Sequence, residues 1–215
     1  MTLMKILLIG DSIRMFYQRE VASQLGDDYE IFAPKENCRY SLYVLNSLRF
    51  WLNSYPTPDI IHFNAGLWDT AILYREDECF IDLEIYVKYM KSVLRELKKT
   101  GAKIIFATTT PVSDEKETLS GPNPPAHKNQ DIINYNNAVL EAFKDEDIIV
   151  NDLFSVVYPQ KEKYLSEDMI HPNADGVKLL GATVANCIKK CGAYENKKCA
   201  VNSPQNINKD EKTIQ

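Results

Sequence analysis

The chain has 215 residues, of which 45% are hydrophobic and 26% charged, the balance of an ordinary globular protein. A formal net charge of -5, with Lys and Arg scattered along the chain, leaves no basic stripe to neutralise phosphates and excludes nucleic acid as the main partner. No stretch approaches the roughly 18 apolar residues of a membrane span, and the length suits one domain with a substantial core.

In chain order, the first predicted strand is the apolar run Met4–Ile9, which ends in Gly10-Asp11-Ser12. The run is too short for the core of a secretion signal and is not followed by a small-residue cleavage site, so the chain reads as cytoplasmic. Residues 29–33, 59–64, 103–109 and 147–150 supply the other strands, giving about five. A helix is expected from near Ile13. Leu42, Leu45, Leu48, Trp51 and Leu52 share a second helical face, and Leu83, Val87, Met90, Leu94 and Leu97 a third, with Gly101 placed to cap it. Ile132, Tyr135, Val139 and Phe143, then Val177, Leu180, Val184 and Ile188, mark the last two. Strand and helix alternating in this way predict parallel strands joined by helical crossovers, with ligands bound at the carboxyl edge of the sheet.

The connection over 111–128 holds four prolines and no periodicity, and is expected to be mobile or to face substrate. From residue 193 the chain turns polar and rich in Asn and Lys. A domain over 1–192 and a disordered tail over 193–215 are therefore expected. Cys38, Cys79, Cys187, Cys191 and Cys199 are odd in number and show no disulfide rhythm. No histidine lies near the last three to complete a zinc site, so they read as free thiols in a reducing compartment and no metal is expected. Nothing in the sequence fixes an oligomeric state.

Three polar clusters fall at predicted strand ends or before the last helix. Ser12 stands at the head of a helix, where free N–H groups and the helix dipole favour a nucleophile and the oxyanion it creates. Read alone, Gly10-Asp11-Ser12 is better material for a helix cap than for a nucleophile. Asp168-Met169-Ile170-His171 can set a carboxylate against the far nitrogen of an imidazole, or be an acid and a histidine sharing an exposed loop. Asn64-Ala65-Gly66-Leu67-Trp68-Asp69 offers an amide toward an oxyanion and a glycine for close approach, or simply a turn after a buried strand.

Together and in this order, these clusters resemble the SGNH hydrolases, also called GDSL esterases, over about residues 4–190. The resemblance implies a flavodoxin-like three-layer α/β/α sandwich, with parallel strands in the order 2-1-3-4-5 and helices on both faces. It also implies a serine esterase that cleaves a small acyl ester, such as an O-acetyl group on a carbohydrate, with no cofactor. On this match Ser12 is the nucleophile and an oxyanion donor through its N–H, His171 the base, and Asp168 the acid that orients it. The family's second block normally supplies a glycine N–H. Here it corresponds to Asn37-Cys38-Arg39-Tyr40-Ser41, and Arg39 is the candidate donor. In the third block Trp68 stands at the family's Asn position, as in the similar Leu-Trp-Asp of the PC-esterase branch. Asn64 is expected to take over the donor role, and Asp11, Gly66 and Trp68 to line the pocket.

His62 lies within a predicted strand and reads as a hydrogen-bonded core residue, and His127 as a solvated loop residue within reach of substrate. The Gly-x-Ser-x-Gly elbow of the α/β-hydrolases and the glycine patterns of nucleotide sites are both missing from the sequence. The altered second and third blocks also support a rival reading: a non-catalytic or weakly catalytic module on the same fold that binds a glycan or an acylated ligand.

Overall fold

Five short apolar runs become five strands of one parallel sheet: β1 Met4–Ile9, β2 Tyr29–Phe32, β3 Ile60–Phe63, β4 Lys103–Ala107 and β5 Ile149–Asn151. Their order is β2-β1-β3-β4-β5, as the family resemblance implied. The computed structural model describes residues 3–73, 78–113 and 126–201. In the register, Ile6 lies beside Ile60 and Ile9 beside Phe63, and Phe63 in turn beside Phe106. The central strands are buried on both faces, which is why they read as continuous apolar runs.

Successive side chains alternate between two cores. Ile6, Leu8, Ile60, Ile105 and Ala107 pack under α1 (Ser12–Leu25) and α7 (Ala174–Val201). Leu7, Ile9, Ile61, Phe63, Ile104 and Phe106 point the other way. They meet α2 (Ser41–Ser54), α3 (Leu83–Lys98) and α4 (Asn129–Ala142). Gly101 follows α3 with φ 77, a left-handed conformation that suits glycine. Two short helices escaped the sequence reading, α5 (Leu153–Val157) and α6 (Lys161–Tyr164), on either side of a 3-10 turn at Tyr158–Gln160. Both fall below the length at which a periodic pattern can be recognised.

The last helix differs from expectation at its end. It continues past residue 193, where a disordered tail was expected, and is described as far as Val201. Extending an existing helix needs no new nucleus, and the sequence there is rich in good helix formers such as Ala, Glu and Lys. Residues 202–215 lie outside the described residues, as do 114–125 of the proline-rich connection. The described ends of that connection are anchored. Val112 exchanges two hydrogen bonds with the Asn129 side chain, and Ala126 pairs with Ile72 in an antiparallel bridge. Among the described residues no helix is long and apolar enough to cross a membrane.

Candidate active site

Strand order reverses direction between β1 and β3, and the crevice this opens lies beyond their carboxyl ends. The chain leaves β1 through Gly10 and enters α1 at once. Asp11 is the cap: its Oδ1 accepts a 2.9 Å hydrogen bond from the Ile13 N–H. Because Asp11 does the capping, the Ser12 hydroxyl is free for another partner. The Ser12 N–H has no hydrogen-bond acceptor among the described residues.

That partner comes from the far end of the chain. Before α7, residues 165–172 fold back on themselves, with Met169 at φ 65 and the Ser166 N–H donating to the His171 carbonyl at 2.7 Å. Asp168 organises this turn. Its Oδ1 accepts from the Ser166 hydroxyl (2.7 Å), the Ile170 N–H (3.0 Å) and the His171 N–H (2.9 Å). Its Oδ2 lies 2.6 Å from His171 Nδ1, and His171 Nε2 lies 2.8 Å from Ser12 Oγ. Partial burial works to raise the Asp168 pKa, but the N–H groups of His171 and Ile170, the His171 ring and the Ser166 hydroxyl outweigh it and hold the carboxyl at about 2. The structure thus joins Ser12, His171 and Asp168 in one relay. Phe16, one turn into α1 from Ser12, stacks on the His171 ring with centroids 4.9 Å apart.

Ser12 and His171 open on a cleft of about 310 Å³. Leu67, Trp68, Ala71 and Ile170 make its apolar lining, and Asn37 and His127 add polar groups. Trp68 therefore sits where it was expected, while several other candidates do not. Asn64 donates its side-chain N–H groups to the Ala107 carbonyl (2.8 Å) and to Thr109 Oγ1 (3.5 Å). It borders a separate, smaller space together with Asp11, so neither residue lines the cleft. Asn64 ties the end of β3 to the end of β4 and has no amide hydrogen left for an oxyanion. Arg39 is also corrected: its N–H donates to Asn37 Oδ1 at 2.8 Å, with Arg39 itself at φ 50. Gly66 is likewise a packing residue, since a Cβ there would collide with Thr109 Oγ1 and crowd the Tyr86 hydroxyl.

Two histidines behave differently from each other. His62 is a core residue as expected, fully buried, with Nε2 3.1 Å from Asn151 Nδ2, and burial lowers its pKa to about 4. His127 is not a solvated loop histidine. It is half-buried, its Nδ1 is enclosed with no hydrogen-bond partner among the described residues, and burial, with a smaller contribution from nearby His171, brings its pKa down to about 4. The neighbouring Ala126–Ile72 bridge draws it in against the third block.

The loop over 34–38 is held from beneath by a buried arginine. Arg14 donates to the carbonyls of Gly10 (3.2 Å), Pro34 (3.0 Å) and Glu36 (2.8 Å). On the other side, the Asp69 carboxylate accepts from the Ser41 N–H and hydroxyl, tying the third block to the start of α2. Burial raises the Asp69 pKa to about 7 against the opposing effect of those bonds. Neither clamp was read from the sequence.

A parallel sheet of this order with helices around it is the fold of the GDSL-type hydrolases. Similar solved structures include a lipase/acylhydrolase from Enterococcus faecalis, 20% identical, with a TM-score of 0.68 over 87% of this chain and 96% of that one. A GDSL-like lipase from Bacteroides thetaiotaomicron is 16% identical, with a TM-score of 0.67 over 87% and 88% of the two chains. An acetylxylan esterase from Geobacillus stearothermophilus is 15% identical, with a TM-score of 0.68 over 86% and 94%. No family model and no curated protein sequence matches the chain.

Proposed function

We propose that the chain is a serine esterase working through a covalent acyl-enzyme. The observation that carries this reading is the relay of 2.8 Å from Ser12 Oγ to His171 Nε2 and 2.6 Å from His171 Nδ1 to Asp168 Oδ2. His171 takes the Ser12 proton as Oγ attacks the ester carbonyl, and Asp168 fixes the imidazole tautomer and stabilises the cation that forms. His171 then returns that proton to the departing alcohol. A water, deprotonated by the same nitrogen, hydrolyses the acyl-enzyme to release the acid and restore Ser12.

The apolar lining from Leu67, Trp68, Ala71 and Ile170 suits a small, uncharged acyl group. O-acetyl groups on a carbohydrate are our preferred substrate, a choice supported by the acetylxylan esterases among the similar structures. The route requires no metal or cofactor, and the compartment we infer is the cytoplasm, a reading supported by the free thiols of Cys38, Cys79 and Cys187.

The test is covalent labelling by a fluorophosphonate together with hydrolysis of p-nitrophenyl acetate. Wild type should label and turn over, and Ser12→Ala should lose both. Equal labelling of the two proteins would point to another nucleophile. The presence of Trp68 where related enzymes carry Asn favours a second reading, a binding module on this fold. That reading requires acetylated-glycan binding with no Ser12-dependent turnover.

A further inference from the structure

An ester hydrolysed through Ser12 passes through a tetrahedral intermediate whose oxyanion needs preorganised donors. The Ser12 N–H is one. The two further donors expected from the sequence are engaged elsewhere: the Asn64 amide on Ala107 and Thr109, and the Arg39 N–H on Asn37. The bond that removes Arg39 also identifies its replacement. Asn37 Oδ1 is turned back onto the Arg39 N–H, which fixes the plane of the side-chain amide. Its Nδ2 edge has no partner among the described residues. Asn37 borders the same cleft as Ser12 and His171.

Its position relative to Ser12 is set by the backbone. The next residue, Cys38, donates its N–H to the Gly10 carbonyl at 3.3 Å, two residues before Ser12. Arg14 grips the carbonyls of Pro34 and Glu36 from beneath. The amide is therefore held on both sides by bonds that exist before substrate arrives, as an oxyanion donor requires.

We propose that the Asn37 side-chain amide is the second oxyanion donor, acting beside the Ser12 N–H and supplying from the second block what related enzymes take from an Asn in the third. This rests on the serine-esterase reading above. As Oγ bonds to the carbonyl carbon, the carbonyl π pair moves onto oxygen and the Ser12 proton moves to His171 Nε2. The negative oxygen then accepts hydrogen bonds from the Ser12 N–H and from Asn37 Nδ2. On collapse the C=O bond re-forms and the alcohol leaves with the proton from His171. Asn37 gives up no atom.

The experiment compares wild type, Asn37→Ala and Asn37→Asp in p-nitrophenyl acetate hydrolysis and in the rate of fluorophosphonate labelling of Ser12, with thermal unfolding as the check on folding. Asn37→Ala should lose about 10²–10³-fold in kcat with little change in KM, because the bond strengthens only in the transition state. Asn37→Asp keeps an acceptor for the Arg39 N–H, so it preserves the turn, but it removes the donor and places negative charge where negative charge develops. Its kcat should fall at least as far as that of the alanine variant. Near-wild-type turnover by Asn37→Asp would show that Asn37 only shapes the loop, and full kcat in both variants would show it plays no part; either result overturns the proposal. If Asn37→Ala does not fold, the aspartate variant decides alone. A wild-type protein with neither labelling nor Ser12-dependent turnover would instead overturn the esterase reading itself, and the donor assignment with it.

Discussion

Arg14→Lys separates the geometry of the buried clamp from its charge. Arg14 is 1% exposed, and its guanidinium reaches three backbone carbonyls on two segments of chain, with Gln18 Oε1 as a further acceptor at 2.6 Å. A lysine ammonium keeps the charge but is a single point and cannot span Gly10, Pro34 and Glu36 together. Gly10 retains a second donor in the Cys38 N–H. The Glu36 carbonyl is only partly buried, so solvent can satisfy it, whereas the Pro34 carbonyl is buried and would be stranded. A stranded buried acceptor costs about 1–3 kcal/mol. With a smaller loss at Glu36, the expected fall in unfolding free energy is roughly 2–3 kcal/mol, measurable by urea denaturation. Because the freed segment carries Asn37, kcat on p-nitrophenyl acetate should fall by about 10²-fold, the scale of a misplacement near 1 Å. A variant within 0.5 kcal/mol of wild type, by order-of-magnitude reckoning, and with full turnover would refute the clamp.

Asp168→Asn removes the acceptor for His171 Nδ1 and permits the wrong tautomer. kcat should drop by roughly 10³–10⁴-fold in the same assay, and an unchanged kcat would contradict the relay. Gly66→Ala drives a methyl into Thr109 at a backbone φ of 155, so a loss of about 1–3 kcal/mol is expected in chemical denaturation, and an unaltered midpoint would mean the contact relaxes freely. His62 gives a pH signature. Its folded pKa of about 4 lies below the unfolded value near 6.5, so between these the unfolded chain binds a proton that the native state refuses, and stability falls as pH drops through that window. From about pH 6.5 to 5 this amounts to roughly 2 kcal/mol, which His62→Gln should abolish. Buried Asp11 and Asp69, raised to about 6 and 7, oppose it by binding protons preferentially in the folded state, so the test is the difference between variant and wild-type curves; identical slopes would place a solvated imidazole at 62.

What the sequence made legible and what it hid follow the range of the interactions. The five strands carry their signal in their own apolar runs, and the four residues Asp168–His171 form a turn in which the Asp168 carboxylate bonds locally to the Ile170 and His171 N–H groups and to the His171 ring. Asn64 misled because its partner, the Ala107 carbonyl, is on another strand and comes into view only when the β3–β4 register is known. The Arg14 grip on Pro34 and Glu36 was hidden in the same way: a helical arginine carries no mark of what it will reach. His127 was misread because the Ile72–Ala126 bridge decides its burial, and a bridge between two irregular segments has no periodicity to detect. Asn37 was within reach of local reasoning. An Asn two residues before an N–H commonly captures it, and that alone would have disqualified the Arg39 N–H as a donor.

Ser12 and His171, the nucleophile and base of the proposed mechanism, are 159 positions apart in the chain, and α1, which presents the first, packs on α7, which follows the second. Until the turn ahead of α7 has been synthesised and docked, Ser12 is an unremarkable hydroxyl at the head of a helix, no more reactive than any other serine. On the serine-esterase reading, hydrolytic competence therefore waits on a loop closure of 159 positions. In a refolding experiment on that reading, the recovery of turnover times the docking of the turn before α7 against the head of α1 and gauges what fraction of molecules has made that contact.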